Sequence, residues 1–81
     1  MDKAEIESRV IGVLVEELGL PRERVGLDST LEEGLGLDSL GMVELFLGLE
    51  GAFGIRISDE EAEQVTTVGQ AAEVVASKLA R

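Results

Sequence analysis

Apolar residues recur every three or four positions in the first part of the chain, with charged residues between them. The apolar positions are Ile6, Val10, Val13, Leu14 and Leu18. This spacing predicts an amphipathic helix over residues 3–18, whose start Asp2 and Glu5 are suited to cap. Gly19 and Pro21 predict its end, because glycine suits a helix C-terminus and proline disfavours a helical residue before it.

A long connection follows the first helix, from Gly19 to Asp38. It contains several apolar residues of the kind that are usually buried, namely Leu20, Val25, Leu27, Leu31, Leu35 and Leu37. A structureless loop of this length is uncommon in a small domain, so we expect these side chains to pack across the helices. Ser29 and Glu32 fit a capping box and predict a short turn there.

The second half of the chain predicts three more helices. The second helix should run from Ser39 to about Ala52 and stop near Gly54. Two further helix starts carry capping boxes, Ser58 with Glu61 and Thr67 with Gln70. The apolar stripe of the last helix comprises Val68, Ala71, Ala72, Val75 and Leu79. Only the segment "GIRI", residues 54–57, is strand-like. The pattern predicts one all-α domain over residues 1–81, a small bundle of three main helices and one short helix with a long first loop.

The second helix is apolar on two sides. One stripe should face the core and comprises Met42, Leu45, Phe46, Leu49 and Phe53. The opposite stripe comprises Leu40, Val43 and Leu47, which a small bundle cannot also bury fully. Glu44 and Glu50 flank this second stripe. Gly41, Gly48 and Gly51 should lie at its edge, where the absence of side chains keeps the helix surface low. We expect the second stripe to be a docking surface, with cover by the long loop as the alternative.

The net charge of the chain indicates which classes of partner it can bind. Its 81 residues include 17 acidic and 7 basic side chains, for a net charge of -10, without histidine or cysteine. Nucleic acids and anionic membranes should repel such a chain, so a basic protein is the favoured partner, although acids also serve solubility alone. Neither a signal peptide nor a membrane-spanning segment is recognised, which predicts a cytoplasmic protein.

The residue inventory excludes most enzyme sites. Without histidine or cysteine there is no catalytic triad and no metal site built on those ligands. Ser39 follows Asp38 at the predicted start of the second helix, and both residue types are preferred helix caps. An exposed serine at a helix N-terminus also suits an attached phosphate. Since Ser39 has no base of its own, another protein would have to modify it.

The stretch "LGLDSLGMVELFLGLEGAFGIRISDEEAEQVTTVGQAAEVV" resembles the acyl carrier proteins. The resemblance implies a non-catalytic carrier whose phosphopantetheine arm is moved from coenzyme A to Ser39 by a phosphopantetheinyl transferase. It gives Asp38 a role in transferase recognition. It also implies a monomer with a partner-facing surface of Leu40, Val43, Glu44, Leu47, Glu50, Asp59, Glu60 and Glu61. The partners implied are the transferase and acyl-transferring or ketoacyl synthase-type enzymes with basic patches.

Three single positions and one stretch depart from the pattern common in fatty-acid carriers. Gly34 and Gly41 replace acids, Ser58 replaces a proline, and the acidic end of the second helix is thinned to Glu50-Gly51-Ala52. Partner recognition should therefore depend more on apolar contact and on the segment from Asp59 to Glu63, and fatty-acid and polyketide-type pathways both remain open. Two alternatives also remain: a carrier of aminoacyl or peptidyl groups, and an unmodified helical interaction module in which Ser39 is only a cap.

Overall fold

Four α-helices make up the computed structural model, which describes residues 1–80. They are α1 (Lys3–Glu16), α2 (Ser39–Phe53), α3 (Asp59–Glu63) and α4 (Val68–Leu79), with a short 3₁₀ helix at Arg22–Arg24. Residues 1–80 contain no strand, only an isolated antiparallel bridge between Thr30 and Thr67. The prediction of an all-α bundle with three main helices and one short helix is confirmed, whereas residues 54–57 do not form a strand.

Helix α1 packs against both α4 and α2. Its start is capped by Asp2, whose Oδ1 accepts a hydrogen bond from the Glu5 N–H at 2.8 Å. It ends at Glu16, two residues before the predicted position. Gly19 then takes a left-handed conformation with φ of 71°, which turns the chain away from the helix axis.

The core combines the apolar face of each long helix with residues from the first loop. Its buried members are Ile6, Val10, Val13, Leu14, Val25, Leu31, Leu35, Leu45, Leu49, Val65, Val68, Ala71, Ala72 and Val75. The predicted packing of the loop across the helices is therefore confirmed for Val25, Leu31 and Leu35. Leu27 is the exception, because its side chain is 37% exposed while its backbone carbonyl accepts the Gly69 N–H.

The loop before α2 is held to the link between α3 and α4 by backbone hydrogen bonds. Leu31 N–H donates to the carbonyl of Thr66, and Val68 N–H donates to the carbonyl of Ser29. The predicted turn is present, but its predicted cap is wrong. Thr30 Oγ1 accepts the Gly34 N–H at 2.7 Å, whereas Ser29 Oγ accepts the Gly26 N–H within the preceding turn.

Helices α3 and α4 begin as their capping boxes predict. In α3 the Ser58 and Glu61 side chains accept each other's backbone N–H, and Thr67 and Gln70 do the same in α4. Helix α2 ends at Phe53, followed by Gly54 in a left-handed conformation with φ of 66°. The glycine avoids the steric cost of that conformation and closes the helix through its N–H bond to the Glu50 carbonyl.

Candidate functional site

Asp38, and not Ser39, caps helix α2. The backbone of Asp38 is extended, and its Oδ1 accepts the Gly41 N–H at 2.8 Å. Ser39 is the first helical residue and is exposed. Among the hydrogen bonds found within residues 1–80, none involves its hydroxyl group. The interpretation of Ser39 as the cap is therefore wrong, and its hydroxyl is accessible from solvent.

Gly41 lies tightly beneath this cap. A Cβ atom at residue 41 would lie 3.3 Å from both Asp38 Oδ1 and Leu37 Cδ2. Gly41 is buried, although the pattern predicted it at the low margin of the exposed stripe. The reason is that the buried side of α2 is wider than the apolar stripe and includes both Gly41 and Gly48.

The second apolar stripe of α2 is exposed to solvent. The exposed fractions of Leu40, Val43 and Leu47 are 66%, 55% and 61%, and we name these three residues the exposed strip. The first loop therefore does not cover them. On the opposite side Leu45 and Leu49 are fully buried, while Met42, Phe46 and Phe53 pack at the edge of the core.

A cleft of about 800 Å³ opens between α2, α3 and the turn after Thr30. We name it the α2–α3 cleft. Ser39, Val43, Leu47, Glu50 and Asp59 all line it, so the fold brings together five of the ten predicted site residues. Its apolar lining includes Leu31, Met42, Phe46, Ile57, Ala62 and Val65. The cleft thus offers apolar surface beside an exposed serine hydroxyl.

The predicted acidic contacts fall into two groups. Glu44, Asp59 and Glu60 are exposed. Glu50 is half-buried, and its Oε2 accepts the Ile57 N–H at 2.7 Å, which ties the end of α2 to the link before α3. Glu61 pairs with Lys78 of α4, with 2.7 Å between Oε2 and Nζ. Two of the predicted partner acids therefore also make contacts inside the bundle.

The pair with Lys78 changes the acidity of Glu61. The hydrogen bond from Lys78, followed by the bond from the Ser58 backbone N–H, lowers the pKa of Glu61 from 4.5 to about 2. Both contacts favour the charged carboxylate. Glu61 is therefore ionised throughout the range in which the protein would work.

Comparison with known proteins identifies the family. The protein-family model described as "Phosphopantetheine attachment site" matches residues 8–75 of this chain. A curated acyl carrier protein from Saccharopolyspora erythraea is 41% identical over 81 residues, covering 100% of this chain and 85% of that protein. The chain belongs to the acyl carrier protein family. The family resemblance seen in the sequence is thereby confirmed.

Members of the acyl carrier protein family are carriers and not catalysts, and they hold a covalently attached phosphopantetheine group. The start of α2 fits such a group, because it offers an exposed hydroxyl that no protein group engages in the described part of the chain. The first-turn N–H groups of a helix favour an attached phosphate. When bound, the arm supplies a terminal thiol that can hold acyl groups as thioesters.

Within residues 1–80 the structure contains no group of three or more acidic side chains placed to hold a metal ion. In the same range no helix is both long and apolar enough to cross a membrane.

Two features of this carrier chain were not foreseen from its sequence. One is the bond between Glu50 and Ile57, and the other is the pair between Glu61 and Lys78. The residues of the second pair are 17 positions apart, the difference between 78 and 61. No helical or strand periodicity connects such positions, so only the packing of α3 beside α4 could reveal the contact.

Proposed function

We propose that Ser39 carries the phosphopantetheine arm and that a phosphopantetheinyl transferase attaches it from coenzyme A. The observation that supports this proposal is the exposed Ser39 side chain at the first position of α2, with the cap supplied by Asp38. In the attachment, the Ser39 oxygen bonds to the phosphorus of the phosphopantetheinyl group. The P–O bond that joins the phosphopantetheinyl phosphorus to the nucleotide part of coenzyme A breaks, so that the nucleotide part leaves, and a base of the transferase takes the hydroxyl proton.

The carrier then presents acyl groups to enzymes of fatty-acid, polyketide or related lipid biosynthesis. We propose that these enzymes, including ketoacyl synthase-type enzymes, dock on the exposed strip and that their basic patches face the acidic side chains around it. Glu44, Asp59 and Glu60 lie exposed on the same protein and would add orientation and a faster encounter. A monomer in the cytoplasm is the form in which we expect this exchange to occur.

Attachment at Ser39 can be tested by intact-mass spectrometry. Wild-type protein incubated with coenzyme A and a transferase should gain one phosphopantetheinyl group, and Ser39→Ala should gain none. Because Ser39 is exposed and does not cap α2, Ser39→Ala should keep the circular dichroism spectrum and melting temperature of the wild type. Absence of the group on the wild type, or equal addition to both proteins, would contradict the proposal.

The cargo can be read from the same measurement on protein isolated from its native source. An acyl mass on the arm would support a role in lipid or polyketide synthesis. An aminoacyl or peptidyl mass would instead assign the chain to amino-acid-activating systems.

A further inference from the structure

The segment that leads into α2 borders the proposed attachment site. It covers residues 30–37, and we name it the entry turn. Glu32 and Glu33 of this turn line the α2–α3 cleft together with Ser39. An enzyme that reaches Ser39 from the side of the cleft therefore meets the entry turn, and the position of the turn affects how well that enzyme fits.

Hydrogen bonds close the entry turn on itself. Thr30 Oγ1 accepts the Gly34 N–H at 2.7 Å, and the Thr30 carbonyl accepts the Leu35 N–H at 2.9 Å. Leu35 is buried in the core. The side chain of Leu37 lies against the first turn of α2, where a Cβ atom at residue 41 would be 3.3 Å from Leu37 Cδ2. The entry turn and the start of α2 are therefore packed together, so a displacement of the turn also disturbs the surroundings of the attachment site.

Within residues 1–80, a single side chain from outside the entry turn forms a hydrogen bond to it. The guanidinium Nη2 of Arg24 donates to the Gly34 carbonyl at 3.1 Å, across ten positions of the chain. The backbone of Arg24 is itself held in place, because its carbonyl accepts the Ser29 hydroxyl at 3.2 Å and the next residue, Val25, is buried. Arg24 thus joins the entry turn to a fixed part of the first loop.

Gly34 leaves the entry turn little room to adjust. A Cβ atom at residue 34 would lie 2.9 Å from both the carbonyl oxygen and the Oγ1 atom of Thr30. A side chain at this position, such as the acid common in fatty-acid carriers, would displace the turn from Thr30. The absence of a side chain at Gly34 therefore permits the tight turn whose carbonyl Arg24 binds.

We propose that Arg24 is a positioning residue for the modification of Ser39. Its guanidinium holds the entry turn in the conformation that the phosphopantetheinyl transferase binds, without touching the reacting atoms. The proposal rests on the proposed function. When only a fraction of the carrier molecules has the conformation that binds, the apparent affinity falls in proportion to that fraction. Loss of the Arg24 contact should therefore raise KM for the carrier and leave kcat nearly unchanged.

The contact is tested by Arg24→Gln, with Arg22→Gln as the matched control. Both residues are exposed and lie in the same 3₁₀ helix, but within residues 1–80 the side chain of Arg22 forms no hydrogen bond. Each variant loses one positive charge, so any effect of net charge on the encounter is the same in both. Loading is followed by intact mass with coenzyme A and the transferase from the same source. Arg24→Gln should raise KM for the carrier about threefold or more, and Arg22→Gln should keep the wild-type KM.

Two further measurements separate positioning from general stability. The Leu35 and Leu37 amides donate to carbonyls of Thr30 and Leu31, so their hydrogen exchange reports on the entry turn. Both amides should exchange faster in Arg24→Gln than in the wild type. Urea denaturation should give nearly the same midpoint for Arg24→Gln and the wild type, because the lost contact is exposed and local.

A double-mutant cycle with Gly34→Ala distinguishes an effect through the turn from a direct contact with the transferase. Gly34→Ala forces the turn away from Thr30, so it should raise KM by itself, and Arg24→Gln should then add little to it. Gly26→Ala is the control for adding a methyl group to the same loop. A Cβ atom at residue 26 would meet Ser29 Oγ at 3.8 Å, which is an ordinary contact.

Equal KM values for Arg22→Gln and Arg24→Gln would overturn the proposal, as would unchanged exchange at Leu35 and Leu37. Additive effects of Arg24→Gln and Gly34→Ala on KM would assign Arg24 to a direct contact with the transferase and would also overturn it. A fall in kcat without a rise in KM contradicts it as well. In all of these results the wild type is loaded, so the proposed function stands. A wild type that gains no phosphopantetheinyl group would contradict the proposed function and the positioning role together.

Discussion

Asp38 and Ser39 are adjacent, and both residue types favour the start of a helix, yet only Asp38 caps α2. Side-chain preference cannot choose between them, because both types cap well. The choice is made by the backbone, which is extended at Asp38 and helical from Ser39 onward. Asp38 therefore accepts the Gly41 N–H of the first turn, and the Ser39 side chain stays exposed.

Substitution at Asp38 should separate its capping role from its proposed role in transferase recognition. Asp38→Ala removes the cap and should lower the free energy of unfolding by about 1 kcal/mol. Asp38→Asn keeps a side-chain oxygen for the Gly41 N–H and should cost much less. Urea denaturation measures both changes.

Loading kinetics complete this test of Asp38. If the carboxylate is recognised, the transferase should load Asp38→Asn with a clearly lower kcat/KM than the wild type despite nearly unchanged stability. Loading of Asp38→Asn at the wild-type rate would show that Asp38 is only a cap.

On the scale of elements, the glycines of α2 have different physical roles. Gly48 lies where α1 approaches, because a Cβ atom there would come within 2.9 Å of Val13 Cγ1. Gly51 is exposed and its surroundings are open. Both lie inside the helix, where glycine is about 1 kcal/mol less favourable than alanine. Only the position facing α1 offsets that loss by allowing the two helices to pack closely.

Alanine substitutions should therefore act in opposite directions. Gly51→Ala should raise the free energy of unfolding by up to about 1 kcal/mol, since it adds helix propensity without a clash. Gly48→Ala should lower it by about 1 kcal/mol or more, since the buried Val13 side chain must move. Equal stabilisation of both variants in urea denaturation would contradict the close approach of α1.

Two polar contacts hold α3 and the link that precedes it, one from α2 and one from α4. Helix α3 has five residues, none of them buried, so its own apolar packing is slight. Glu50 holds the link through the Ile57 N–H, and Lys78 holds Glu61 from α4. These contacts position one wall of the α2–α3 cleft.

Removal of the Glu50 carboxylate should loosen this link. Glu50→Ala leaves the Ile57 N–H without its acceptor and should cost about 1 kcal/mol or more, whereas Glu50→Gln keeps an oxygen and should cost less. Hydrogen exchange provides the local readout, and the Ile57 amide should exchange faster in Glu50→Ala. An unchanged exchange rate at Ile57 would contradict the contact.

On the scale of the whole molecule, most acidic side chains lie on the surface. The 17 acidic and 7 basic side chains of the chain together give a net charge of -10. The buried set contains no charged side chain among the described residues. The core is therefore apolar, and the charge is available to attract basic partners and to repel nucleic acid. The charge of Glu61 is less available to a partner, because it is paired with Lys78 in a contact that joins α3 to α4.

This pair should make stability depend on pH in the acid range. The pKa of Glu61 is about 2 in the folded protein against an ordinary value of 4.5, so the unfolded chain takes up the proton first as pH falls. The stabilisation is complete above about pH 4.5 and is lost as pH falls through about 2.

Glu61→Gln should therefore flatten the loss of stability between pH 4.5 and about 2, relative to the wild type. Glu60→Gln removes the same charge at an exposed neighbour and is the matched control. Urea denaturation at several pH values measures both slopes. Parallel curves for the wild type and Glu61→Gln would rule out the pair as a source of this dependence.

The sequence by itself determined the four helices, the long loop and the carrier family. Helical periodicity and capping depend on neighbouring residues, so the boxes at Ser58 and Thr67 could be read directly. The exposed strip also followed from periodicity, because a small bundle buries only one side of α2. The cap at Thr30 could not be chosen over Ser29 in the same way, since both side chains suit a turn.

Only the tertiary structure decided which side chains meet across the bundle. The α2–α3 cleft, the burial of Gly48 and the partners of Glu50 and Glu61 all depend on how distant segments pack. Such contacts join residues that share no local repeat. The distances between these residues are set by how the helices pack together, and that packing has to accommodate all of the side chains at once.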